Sequence, residues 1–133
     1  MSYGTNGLSF NTLREANKQR IKSSKFQKCE DTWTLAHWMQ ATVGELGELA
    51  NLLKKVDRGD FTLDEARVEI AKEFADVQTY LDIMALKAGV NLGRATIDKF
   101  NEVSNRIGSR IYIGEDDDWH LRPEATNDQG QGE

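Results

Sequence analysis

The chain has 133 residues, a formal net charge of −5 and a single cysteine, Cys29. That size suits one domain with a modest core, the acidic balance argues against a nucleic-acid-binding surface, and a lone cysteine leaves no intramolecular disulfide framework and fits a reducing compartment. No run approaches the roughly 18 consecutive apolar residues of a membrane span, and residues 1–6 have neither a basic start nor an apolar stretch, so a cytoplasmic protein without membrane or nucleic-acid partners is expected.

In chain order, residues 1–9 read as a flexible N-terminus. Leu13, Ala16, Asn17 and Ile21 give a weak helical period over residues 11–22, with Thr12 and Glu15 spaced as a capping box. Ser23 to Asp31 is polar and reads as a loop. Thr34 then caps a long helix to about Val56. On it Met39, Val43, Leu46, Ala50 and Leu53 form one apolar stripe, and Trp38, Ala41, Leu49 and Leu52 form a second beside it. Gly44 and Gly47 fall on the remaining face, where their cost to the helix suggests close approach of another helix or a ligand.

Asp57 to Asp60 is a turn, and Thr62-Leu-Asp-Glu65 is a capping box opening a second long helix to about Ala88, closed by Gly89. Asn91 caps a last helix to about Ile107, stopped by Gly108, with an apolar arc of Leu92, Ile97, Phe100, Val103 and Ile107. Residues 110–113 alternate and read as extended or coil. From 114 to 133 the composition is acidic and rich in Gly and Gln, an expected disordered tail whose acids Glu115 to Asp118 read as solvated. The sum is an all-α antiparallel helical bundle over residues 10–113. Its two long helices carry more apolar surface than one chain can cover, so completion by oligomerisation is expected.

The chemistry concentrates in two carboxylate pairs, Glu45/Glu48 and Glu73/Asp76, each at i,i+3 spacing on one helix face. Both pairs lie within apolar stripes, the second with Ile70, Val77, Tyr80 and Met84. Four inward-facing acids raise one another's pKa and cost several kcal/mol unless a cation compensates them, and a hard divalent ion such as Mg²⁺ takes oxygen ligands of this kind. Other chemistries lack their residues. His37 and His120 are the two histidines, no nucleophile is spaced to pair with His37, no Glu-x-x-His occurs, and no Gly-x-x-x-x-Gly-Lys-Ser/Thr loop is present. Lys99 and Arg106 share a face of the last helix, a basic edge able to hold phosphates.

Gly44-Glu-Leu-Gly-Glu48, a 24-residue gap, Glu73-Phe-Ala-Asp76 and then Lys99-Phe-Asn-Glu-Val-Ser-Asn-Arg106 resemble the MazG-like, all-α nucleoside triphosphate pyrophosphohydrolases. The likeness covers residues 33–109. In many members the first Glu is doubled, and here that position is Gly44. The resemblance implies Mg²⁺, with Mn²⁺ as a substitute, held by Glu45, Glu48, Glu73 and Asp76. It also implies hydrolysis of (deoxy)nucleoside triphosphates to monophosphate and pyrophosphate, with Glu45 or Glu48 as general base and a role in housecleaning of the nucleotide pool. By the same likeness Lys99, Asn101 and Arg106 contact phosphate or sugar, Trp38 and His37 stack on the base, and the protein is a homodimer or homotetramer. The competing expectation is a helical interaction module that kept the scaffold without the catalysis.

Overall fold

The computed structural model describes residues 7–124, which are all-α apart from one short hairpin. Residues 1–6 of the expected flexible N-terminus and 125–133 of the expected tail lie outside the described residues. Two compact units divide the chain, one ending at Leu92 and the other starting at Gly93.

In the first unit, α1 (Phe10–Lys22) is capped by Ser9, whose Oγ accepts the Thr12 N–H at 3.0 Å. The cap therefore lies one turn before the expected Thr12/Glu15 box, and Glu15 instead pairs with Lys18 at 3.0 Å. A second correction follows it. Residues 27–32, read as loop, form α2 (Gln27–Thr32). Six residues are too few to show a helical period, and α2 is held by packing: Phe26 and Cys29 lie against Ile21, Trp38 and Ile83, and Lys87 donates to Glu30 at 2.8 Å.

Helix α3 (Leu35–Arg58) starts at Thr34, whose Oγ1 accepts the His37 N–H at 3.3 Å while His37 Nδ1 accepts the Thr34 N–H at 3.0 Å. It ends at Gly59, where φ is 86° and a side chain would be strained. Helix α4 (Leu63–Lys87) opens on the expected capping box of Thr62 and Glu65 and stops before Gly89 at φ 73°. Two apolar clusters fix the helix pair. Trp38, from the start of α3, meets Ile83 with Tyr80 and Met84 from the end of α4, while Leu49 meets Ala66 and Ile70, backed by Leu52, Val56 and Phe61. Early α3 against late α4, and late α3 against early α4, makes the pair antiparallel. A Cβ at Gly44 or Gly47 would meet nothing within 4 Å, so the close approach expected there is not made within the chain.

One buried charge ties α1 to this pair. Asp82, 1% exposed, accepts from Arg14 Nε at 3.0 Å and from Asn17 Nδ2 at 2.9 Å, and Arg14 also donates to the Val90 carbonyl at 3.0 Å. Both carboxylate oxygens are thereby satisfied, which burial of the charge requires.

In the second unit, α5 (Leu92–Ile107) is followed by β1 (Ile111–Ile113) and β2 (Trp119–Leu121), paired antiparallel with Tyr112 opposite His120. Residues 114–121, expected to be the start of the acidic tail, are the turn and second strand of this hairpin. Its acids are spent locally: Asp116 accepts from His120 Nε2 at 2.8 Å, and Glu115 pairs with Arg94 at 2.8 Å. Local ion pairing, invisible to composition, orders the run. Asn101 reaches from α5 to the backbone of Ile113, donating to its carbonyl and accepting its N–H, both at 2.8 Å.

Removing one partner of a buried ion pair strands the other, so Asp82→Ala is expected to lower the free energy of unfolding by about 3–5 kcal/mol. Urea denaturation followed by circular dichroism checks it. A loss under about 1 kcal/mol, the worth of an exposed pair, would refute the tie.

Candidate metal centre

Helices α3 and α4 bring their acids together between the two apolar clusters. One oxygen from each of Glu45, Glu73 and Asp76 lies within 4.8 Å of the other two. A Mg–O bond of about 2.1 Å puts ligands on opposite sides of an ion about 4.2 Å apart, so the three oxygens are spaced for one divalent ion after a shift of a few tenths of an ångström. Glu45 and Glu73 are half-buried and Asp76 is exposed, so the group opens to solvent on one side.

The electrostatics agree with an uncompensated site. Burial, then the charge of Asp76, then the Glu73 carboxylate and Glu48 hold the Glu45 carboxyl above the ordinary carboxylate range. Glu73 Oε2 is buried and has no hydrogen-bond partner. A buried carboxylate oxygen without a donor is costly, and a cation among the three acids supplies the missing partner. Tyr80, one turn beyond Asp76 on α4, has its phenol pKa raised by burial and by Glu45 and Asp76, which keeps it a donor beside the acids. It belongs to the stripe the sequence shows, but spacing alone gave it no role.

The remaining expected site residues are placed differently. Glu48 is exposed and outside the three-acid group, although its charge reaches Glu45. Trp38 is completely buried, with Trp33 at 4.8 Å edge-on and Tyr80 at 6.4 Å, so it presents no free face for stacking a base and is a core residue. His37 is exposed, but its Nδ1 is engaged in capping α3. Lys99, Asn101 and Arg106 all belong to the second unit. There Lys99 pairs with Glu102 at 3.0 Å, Arg106 is exposed, and both functional atoms of the Asn101 amide bind the Ile113 backbone. Asn101 is thus a structural clamp within its unit.

No model of a known protein family matches the chain. Among curated proteins, the "Gene 37 protein" of Mycobacterium phage L5 is 29% identical over 91 residues, which are 67% of this chain and 80% of that one.

The raised Glu45 pKa has a definite sign. The folded state holds this proton more tightly than the unfolded state, so Glu45's contribution to stability is present at low pH and lost as pH rises through the carboxylate range. Without divalent cations, Glu45→Gln is expected to be more stable than the parent at pH 7 and to lose this part of the pH dependence. Mg²⁺ at 100 times its dissociation constant is expected to stabilise the parent by about 2.7 kcal/mol, and the variant by much less at the same concentration. Thermal melts from pH 4 to 8, with and without Mg²⁺, read both effects. An identical response to Mg²⁺ in parent and variant would rule out a centre at Glu45.

Proposed function

We propose that the chain is a divalent-metal-dependent nucleoside triphosphate pyrophosphohydrolase, acting in the cytoplasm on (deoxy)nucleoside triphosphates in housecleaning of the nucleotide pool. The observation that carries this reading is the gathering of Glu45, Glu73 and Asp76 around a buried, unpartnered Glu73 oxygen. The residue spacing it shares with the MazG-like enzymes supports it further.

In this reading Glu45, Glu73 and Asp76 hold Mg²⁺ or Mn²⁺. A bound ion of this kind neutralises phosphate charge and lowers the pKa of water. Glu48 lies one turn beyond Glu45, exposed and outside the gathered group. It is therefore the carboxylate left free to act as general base, a choice the sequence left open between Glu45 and Glu48. Water adds to the α-phosphorus as the bond to the α–β bridging oxygen breaks. Glu48 takes the proton from that water, and the products are a nucleoside monophosphate and pyrophosphate. Tyr80 stands beside the acids as a hydrogen-bond donor to a ligand held there.

Pyrophosphate release from a panel of canonical and modified nucleoside triphosphates, with and without Mg²⁺, tests the proposal. Release that requires the metal is expected. Glu48→Gln is expected to lower kcat by about 10²–10⁴-fold, the usual worth of a general base, while keeping the stabilisation by Mg²⁺. Glu45→Gln is expected to lose both. If no nucleotide is hydrolysed under any divalent metal, the chain is the helical interaction module instead.

A further inference from the structure

The α3–α4 layer has two unlike sides. Around α3, at about 100° per residue, Met39, Val43 and Leu46 lie roughly 100° to one side of the core line through Trp38 and Leu49, and Glu48 lies about 80° to the other. Around α4, Phe74 lies on one side of the line through Ala66 and Ile70, and Asp76 on the other. Because the helices are antiparallel, the positive rotation on each turns to the same side of the layer. Leu35, Met39, Val43, Leu46 and Leu53 therefore share a face with Phe74, while Glu48 and Asp76 share the opposite one. The apolar six are each between 42% and 57% exposed.

We infer that this face is where a second copy of the chain docks, helix pair against helix pair. Met39, Val43, Leu46, Ala50 and Leu53 recur at intervals of 4, 3, 4 and 3 residues, the seam that another helix with the same repeat fills. A second copy supplies that repeat with no further requirement, since a two-fold axis sets each patch against itself. The area suffices. Half-exposed side chains of this size carry on the order of 80 Å² each, so six present roughly 500 Å² per copy and about 1,000 Å² per pair, which is where specific interfaces begin before any polar rim is counted. Docking here leaves the acids of each copy on the outer side of the layer and open to solvent. The inference stands apart from the catalytic reading, because neither the seam residues nor Phe74 belongs to the acid group.

Sedimentation equilibrium of the parent, Val43→Glu, Leu46→Glu and Asn51→Glu tests it, Asn51 being exposed on the far side of α3. The parent and Asn51→Glu are expected at twice the 15.0 kDa of one chain or an even multiple of it. The two seam variants are expected to associate at least 100-fold more weakly, with unchanged helical circular dichroism. A parent that is monomeric at 100 µM, or seam variants that associate as the parent does, overturns the inference. Hydrogen exchange of the parent upon dilution needs no variant: amides of residues 39–53 are expected to exchange faster when dilute, and concentration-independent exchange across that stretch overturns it equally.

Discussion

Two apolar clusters clamp α3 against α4, and the carboxylates between them have no freedom to separate. Trp38 with Ile83 at one end and Leu49 with Ala66 and Ile70 at the other fix the rotation of both helices about their axes. Once those positions face inward, Glu45 and Glu73 must follow, because each lies on the same stripe as its neighbours in the clusters. Burial of apolar surface, worth roughly 1.5–3 kcal/mol for each large side chain, is thus the force that holds three like charges within 4.8 Å of one another.

That arrangement is strained electrostatically, and the strain is specific. Asp76 opens to solvent and keeps its charge hydrated, whereas Glu45 is pushed toward its neutral form and Glu73 leaves an oxygen buried without a partner. A structural salt bridge would have been satisfied by a nearby Lys or Arg, as Asp82 is satisfied by Arg14 and Asn17 in the same unit. The contrast between these two buried acidic sites, one complete and one lacking its positive partner, is the physical basis for reading the second as a place for a cation.

The remaining features sort by what each side chain has left to offer. His37 and Asn101 are functional residue types whose polar atoms are engaged with backbone, one in capping a helix and the other in holding a strand. Trp38 is an aromatic whose ring is enclosed. Glu48 is the opposite case, a carboxylate close enough to influence Glu45 yet exposed and outside the group. The acidic turn from Glu115 to Asp118 shows how a charged run acquires order when its members find partners within one hairpin, through His120 and Arg94.

The sequence by itself determined the helical fold, the two long helices and their caps at Thr34 and Thr62, and the presence of two acid pairs on inward stripes, because periodicity and capping are local properties written within a few residues. It could not reveal α2, whose six residues are too short for a period, nor the Asp82 site, whose partners are 65 and 68 positions away. Nor could it say that three of the four acids meet while Glu48 stays apart. Equal i,i+3 spacing on two helices fixes each pair, but the helix–helix rotation set by Trp38, Leu49, Ala66 and Ile70 decides which oxygens converge, and that is a property of the tertiary packing alone.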